Sequence, residues 1–227
     1  MIFHLGQPIV LLGMAIGLAV AVLVHNLAQA AVGRLLRDPV VRMSRRRILE
    51  PQREFDPFGI IAMVIGGVGW GKPVPLAEPR TRGGRKARFI TALLSGPLAD
   101  IVVGLACAAG YSAATSGFPL VSPRGSRIPV HPNAGYVLLG LVGVMCVAVG
   151  VLHVIPLPPL DGARLMWVLA PPTPGWQRAR YNLEEQNYGL GALVVFSLPI
   201  LGANEGLVVR VVYAMAQPVL NLVAHAF

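Results

Sequence analysis

The chain alternates between long apolar runs and short polar stretches. Three runs, at about residues 8–36, 89–114 and 134–155, are each long enough for a helix that crosses the roughly 30 Å hydrocarbon core of a bilayer, for which about 20 residues suffice. The third run ends before the PLPPL sequence at 156–160, because its prolines cannot continue a helix. The pattern predicts three full membrane spans.

Three further apolar or partly apolar segments are shorter. The glycine-rich segment at 57–71, about 15 residues long, is flanked by basic stretches, so we expect it to enter the membrane and return on the same side. The segments at about 189–202 and 205–225 meet at a polar hinge and form either one re-entrant hairpin or two thin spans. After the proline break, residues 161–169 are expected to form a short helix.

The composition agrees with this pattern. The chain is 55% hydrophobic and 13% charged, against about 25% charged residues in ordinary soluble domains, and its mean hydropathy is +0.65. We therefore predict an all-α integral membrane protein. Residues 1–227 form a single domain with about four to six transmembrane segments and one short re-entrant segment.

The net charge of +9 raises the question of an acidic partner. The basic residues are concentrated in the stretches 34–54 and 72–88, between apolar segments, which is the pattern that sets membrane topology. We expect these loops in the cytoplasm next to anionic membrane lipid, the N-terminus outside, and no nucleic-acid partner. Arginine in excess of lysine, with abundant alanine and glycine, favours a bacterial chain and hence the bacterial plasma membrane.

The sequence VHNLAQA at 24–30 places two polar side chains one helical turn apart. His25 and Gln29 therefore share one face of the first span. This is the spacing of the H-E-x-x-H motif, in which two histidines bind zinc and the glutamate acts as general base. Here Asn26 stands at the glutamate position and Gln29 at the second histidine position.

Four more motifs follow in order: DPFG at 56–59, GWGKPVP at 69–75, SGPLAD at 95–100 and PLPPLDG at 156–162. With VHNLAQA, they make the chain resemble the site-2 protease family of intramembrane zinc metalloproteases. The resemblance covers nearly the whole length. It implies a site-2 protease-like helical bundle.

The resemblance also implies roles for individual positions. His25 matches the first zinc ligand, Asn26 the general base, Gln29 the second ligand, and Asp161 the third, acidic ligand. His153 stands where the family usually has an asparagine close to the scissile peptide. The loop thought to hold the substrate extended corresponds to Gly69, Trp70, Gly71, Lys72, Pro73 and Val74.

The replaced groups matter chemically. An asparagine amide is not basic, so Asn26 cannot supply general-base catalysis, which typically contributes about 10²–10⁴-fold. The neutral amide of Gln29 is a weak zinc ligand compared with imidazole. Left with His25 and Asp161, the site is expected to bind zinc poorly.

A rebuilt site is the alternative, with His25, His153 and Asp161 as ligands. A straight helix would hold His153 and Asp161 about 12 Å apart, and the proline-rich turn allows a closer approach. The nearest candidate bases in sequence are Glu184 and Glu185.

Simpler structural roles stand beside these assignments. His25 can be a histidine hydrogen-bonded to a neighbouring helix, and Asn26 and Gln29 can be interhelical hydrogen-bonding groups. Asp161 is expected to cap the helix that it begins, and Asp100, inside an apolar span, requires a polar partner.

Three hypotheses follow. The first is a catalytically inactive pseudoprotease that binds a transmembrane or peptide partner in the ancestral cleft. The second is an active zinc metalloprotease with the rebuilt site. The third is a membrane scaffold or assembly factor that does not use the cleft.

Overall fold

The structure is a computed structural model and describes residues 6–43, 54–79, 84–115, 133–199 and 205–224. Within these residues the chain is mostly helical and forms no β-strand. The helices are α1 (Pro8–Leu35), α2 (Pro39–Met43), α3 (Pro57–Gly66), α4 (Gly84–Thr115), α5 (Ala134–Leu152), α6 (Asp161–Leu169), α7 (Pro174–Arg180), a π-helical turn (Tyr181–Glu185), α8 (Tyr188–Ser197) and α9 (Leu207–Ala224).

Helices α1, α4 and α5 are long and apolar enough to cross a membrane, and they correspond to the three predicted spans. Helices α3, α8 and α9 are the shorter apolar segments. The predicted all-α membrane fold is thus confirmed. Part of the first basic stretch (44–53), part of the second (80–83) and most of the hinge between the last two segments (200–204) lie outside the described residues.

Helix α5 is the centre of the bundle and packs against both α1 and α4. Small residues allow this close approach. A Cβ added to Gly17 of α1 would lie 2.7 Å from the Met145 Cβ, and one added to Gly104 of α4 would lie 2.7 Å from the Gly143 carbonyl oxygen. Glycines at helix contacts are typical of membrane bundles, where van der Waals packing holds helices together.

The glycine-rich segment 57–71, which is predicted to enter the membrane and return, does reverse its direction. Asp56 caps α3 by accepting from the Phe58 N–H at 2.9 Å, and α3 ends at Gly67, whose φ of 86° suits glycine. An antiparallel bridge then pairs Phe55 with Gly71. The helix and its extended return therefore begin and end side by side.

Helix α5 ends at His153, and the following proline-rich turn folds back on itself. The Gly162 N–H donates to the His153 carbonyl oxygen at 2.7 Å. A Cβ on Gly162 would lie 2.3 Å from the Val154 carbonyl oxygen, so only glycine fits here. The turn delivers the start of α6, at Asp161, next to the end of α5.

Candidate active site

Three polar side chains, each from a different helix, meet inside the bundle. His25 Nδ1 lies 2.8 Å from Asp100 Oδ2, and His25 Nε2 lies 2.8 Å from Asp161 Oδ2. All three residues are buried. Both ring nitrogens of His25 thus lie at hydrogen-bond distance from a carboxylate oxygen. His25 is thus the polar partner expected for Asp100, and it connects α4 to α6.

Gly96 of SGPLAD makes room for the His25 ring. A Cβ added to Gly96 would lie 2.6 Å from His25 Nε2 and 2.7 Å from its Cε1. Asp100 follows one helical turn later on the same face of α4. The motif therefore supplies both the space for the imidazole and the carboxylate that orients it.

Gln29 occupies the position that the resemblance assigns to a zinc-binding histidine. Its Nε2 donates to Asp161 Oδ2 at 2.6 Å and to the Leu93 carbonyl oxygen at 2.9 Å. The same nitrogen lies 3.1 Å from His25 Nε2. Since an amide nitrogen has two hydrogens, Asp161 and Leu93 use both of them. Gln29 thus connects α1 directly to α4 and α6.

His153 is brought against His25. The two ring centroids are 4.1 Å apart, with a tilt of 36° between the planes. The His153 Nδ1 lies 2.9 Å from the Val149 carbonyl oxygen, which requires the hydrogen on that nitrogen and leaves Nε2 as an acceptor. His153 and Asp161 both contact His25 because the proline-rich turn folds back.

Zinc can be tested against these distances. His25, Asp100 and His153 offer donor types that zinc uses, and their donor atoms lie within 4.8 Å of one another. Two ligand atoms on one tetrahedral zinc would lie about 3.3 Å apart. The 2.8 Å contact of His25 Nε2 with Asp161 Oδ2 is a hydrogen bond, whose hydrogen a bound metal would displace. Among the described residues, Asp100 Oδ1 and Gln29 Oε1 are buried without a hydrogen-bond partner. The donor chemistry of this buried group suits zinc.

Asn26, at the position of the general base, faces a carboxylate outside the motifs. Its Nδ2 donates a short hydrogen bond to Glu54 Oε2 and a second one, of 3.3 Å, to the Lys72 carbonyl oxygen. Glu54 is only 2% exposed. Sequence reasoning missed Glu54; the available signal was an acidic residue placed between a basic stretch and the glycine-rich apolar segment.

The two acidic residues proposed from sequence as bases do not reach this group. Glu184 accepts from Arg180 Nε at 2.8 Å, and Glu185 is exposed, on the π-helical turn. That expectation relied on nearness along the chain alone.

The predicted capping role of Asp161 is also wrong. Leu160 is the N-cap residue of α6, no side chain caps this end, and Asp161 is the first helical residue. Its Oδ2 is used by His25 and Gln29 instead. The buried polar contacts therefore replace the local cap.

Residues 72–79 form an extended segment beside the buried group. Val74 and Leu76 are buried while Pro73 and Pro75 are exposed, which is the alternation of an extended chain. Arg164 of α6 holds it in place, since its Nη1 donates to the Val74 carbonyl oxygen at 3.0 Å. The same nitrogen lies 3.7 Å from Asp161 Oδ1, which links the extended segment to the buried carboxylate.

The first part of GWGKPVP has a packing role. Trp70 is 1% exposed, and its Nε1 donates to Asp56 Oδ2 at 3.2 Å. A Cβ on Gly69 would lie 2.3 Å from the Gly59 carbonyl oxygen. Of the predicted substrate-binding residues, Lys72 and Pro73 are exposed.

A cavity of about 450 Å³ opens next to the extended segment. It lies between that segment, the proline-rich turn and the start of α8. Its lining includes Pro73, Glu78, Pro158, Leu160, Arg164 and Leu190. Arg164 lines this cavity and lies 3.7 Å from Asp161 Oδ1, so the cavity adjoins the buried group.

In a comparison with known proteins, the chain aligns with a curated relative over nearly its whole length. The chain is 27% identical to "Putative zinc metalloprotease YwhC" of Bacillus subtilis (strain 168), over 230 aligned residues that cover 91% of this chain and 94% of the relative. The chain is a metalloprotease-like membrane protein. This likeness supports its resemblance to the site-2 protease family. No family model and no solved structure matches the chain.

Proposed function

We propose that the chain is a catalytically inactive, site-2 protease-like membrane protein that binds a transmembrane or peptide partner in its cleft. The observation that carries this proposal is the direct hydrogen bonding of Gln29 and His25 to Asp161. Peptide hydrolysis by zinc needs three protein ligands, an open position for water and a base. The amides of Gln29 and Asn26 stand where a ligand and the base would be required.

The partner-binding part of the proposal is supported by the cavity next to residues 72–79. Pro73 and Pro75 have no N–H group, so this exposed backbone cannot pair as a complete β-strand along that edge. An extended peptide or an unwound part of a transmembrane helix would therefore be held by side-chain contacts in the largely apolar cavity, whose lining includes Pro158, Leu160 and Leu190, and not by main-chain pairing. The basic stretches favour a cytoplasmic position for this side of the bundle, in a bacterial cell.

The test uses a single-span model peptide with a Gly-Pro break in its helix, reconstituted with the full chain in lipid nanodiscs. A photo-crosslinking residue replaces Pro73 in one variant and Val102, which is exposed on the outer face of α4, in the control. We expect crosslinks from position 73, few from position 102, and an intact peptide by mass spectrometry.

Two results would contradict this proposal. Cleavage of the peptide by the wild-type chain, lost in His25→Ala, would make the chain a protease. Crosslinking from position 102 alone would favour the scaffold or assembly-factor hypothesis, in which the cleft has no role.

An active protease with a rebuilt site is the second candidate, favoured by two observations. His153 stacks on His25, and its Nε2 is free to accept or to bind a metal. Glu54 supplies a buried carboxylate next to Asn26. In that case His153→Ala and Glu54→Gln would each abolish cleavage of the same peptide. The pseudoprotease proposal predicts that the peptide stays intact with the wild-type chain and with both variants.

A further inference from the structure

A second cavity, of about 430 Å³, lies away from the buried polar group, where α1 ends and α4 begins. Its polar lining includes three arginines, Arg37, Arg85 and Arg88. Apolar side chains complete the walls, among them Leu36 and Phe89. A cavity with several guanidinium groups and apolar walls suits an anion attached to an apolar body.

Both carboxylate oxygens of Asp38, which lines this cavity, already accept hydrogen bonds from backbone N–H groups. Asp38 Oδ1 accepts from the N–H groups of Val40 and Val41 at 2.9 and 3.0 Å, and its Oδ2 accepts from the Ala77 N–H at 3.0 Å. Asp38 therefore caps α2 and holds the extended segment 72–79 against it. It shapes the cavity and makes no contact with the arginines.

The other acidic side chain is also paired elsewhere. Glu78 Oε2 accepts from Arg180 Nη2 at 2.8 Å. In the described parts of the chain, the side chains of Arg37, Arg85 and Arg88 make no hydrogen bond or ion pair. The cavity is thus lined by three arginines, while Asp38 is held by backbone N–H groups and Glu78 pairs with Arg180.

The backbone at Arg37 is unusual. Its φ is 60°, in the left-handed region that non-glycine residues rarely adopt. The turn is fixed on both sides, since the Arg37 N–H donates to the Arg34 carbonyl oxygen and the Asp38 N–H to that of Gly33. These two bonds form the Schellman-type C-cap that commonly ends a helix, with Arg37 in the position that glycine usually takes. Here the turn places an arginine at the cavity.

Exposed apolar side chains indicate the depth of the cavity in the membrane. Leu35, Val40 and Met43, on the two helices whose ends meet here, are 79%, 40% and 82% exposed. Side chains of this kind are stable at the boundary between lipid headgroups and acyl chains. We therefore expect the cavity at headgroup level, where the apolar part of α1 and α4 gives way to charged residues.

We propose that this cavity binds the headgroup of an anionic phospholipid. The phosphate lies among Arg37, Arg85 and Arg88, and the acyl chains lie along the exposed apolar side chains of α1 and α2. A guanidinium binds phosphate through two parallel hydrogen bonds, which favours a specific headgroup over a diffuse lipid contact. A bound lipid would also stabilise the end of the extended segment 72–79.

The test is native mass spectrometry of the full chain in detergent, titrated with phosphatidylglycerol, phosphatidylcholine or inorganic phosphate. We expect one retained phosphatidylglycerol per chain. Arg37→Gln, Arg85→Gln and Arg88→Gln should each weaken it about fivefold, because one basic residue near an anionic headgroup contributes about 1 kcal/mol. Arg88→Lys, which keeps the charge but loses the two parallel hydrogen bonds, should weaken the binding less than Arg88→Gln does, without restoring that of the wild type.

A charge-matched control separates the cavity from a general basic surface. Arg178, on α7, is exposed and does not line the cavity, so Arg178→Gln should leave the binding unchanged. Circular dichroism checks that each variant is folded. Equal retention of phosphatidylcholine, or equal loss in the control variant, would overturn the proposal. Binding of inorganic phosphate that displaces the lipid would assign the cavity to a soluble anion instead.

Discussion

Two amides, those of Asn26 and Gln29, stand where hydrolysis would need a carboxylate and an imidazole. Gln29 donates to Asp161, and Asn26 donates to Glu54, so each amide is paired with a buried carboxylate. An unpaired buried charge is costly, and these hydrogen bonds relieve that cost. The two amides therefore suit the carboxylates around them, because each amide donates a hydrogen bond to one of the carboxylates.

The pairing of Asn26 with Glu54 leads to a specific expectation. Asn26→Glu would place a second carboxylate at hydrogen-bond distance from Glu54, and two adjacent buried carboxylates cannot both ionise without cost. We expect the free energy of unfolding to fall by about 2–4 kcal/mol. Glu54→Gln in the same chain should restore most of it.

The measurement is a double-mutant cycle of denaturant unfolding in detergent micelles. The wild type, the two single variants and the double variant should give a coupling energy of about 2 kcal/mol between positions 26 and 54. Additive effects would mean that Glu54 does not face position 26. The same cycle shows why restoring the family's glutamate in this chain requires a change at Glu54 as well.

Glycines on the helices also help to position the site, because they leave room for its side chains. Gly96→Ala on α4 should push the His25 ring out of its place, because the added Cβ would overlap the ring. We expect a loss of stability of about 1–3 kcal/mol, as for other overpacked cores. Thermal unfolding in detergent measures it.

Gly110, also on α4, is the matched control. A Cβ there would lie 3.5 Å from Leu139 Cδ2, an ordinary contact. Since alanine favours a helix over glycine by about 1 kcal/mol, Gly110→Ala should be neutral or stabilising. If Gly96→Ala behaved in the same way, His25 would not be confined by α4.

The elements were largely readable from sequence. Apolar runs and prolines predicted α1, α4, α5 and α6, since these signals are local. Glu54 could not be found, because its place beside Asn26 depends on the reversal at Gly67 and the bridge from Phe55 to Gly71. The contact of His153 with His25 likewise required the proline-rich turn to fold back.

The orientation of the whole molecule stays a prediction that a labelling experiment can test. A cysteine replacing Gln177, which is exposed on α7, should react with a membrane-impermeant maleimide only after cells are lysed. The wild-type chain is the control, because Cys107 and Cys146 lie within α4 and α5 and should stay unlabelled. Labelling of position 177 in intact cells would reverse the topology.

At the scale of the molecule, our central proposal is that the chain keeps a protease-like architecture without the hydrolytic centre. Zinc content of the purified wild-type chain tests it most directly, with His25→Ala, His153→Ala and Asp161→Ala measured alongside. We predict far less than one zinc per chain, with no further loss in the three variants, because His25 and Gln29 bind Asp161 directly. One zinc per wild-type chain, lost in all three variants, would contradict the account.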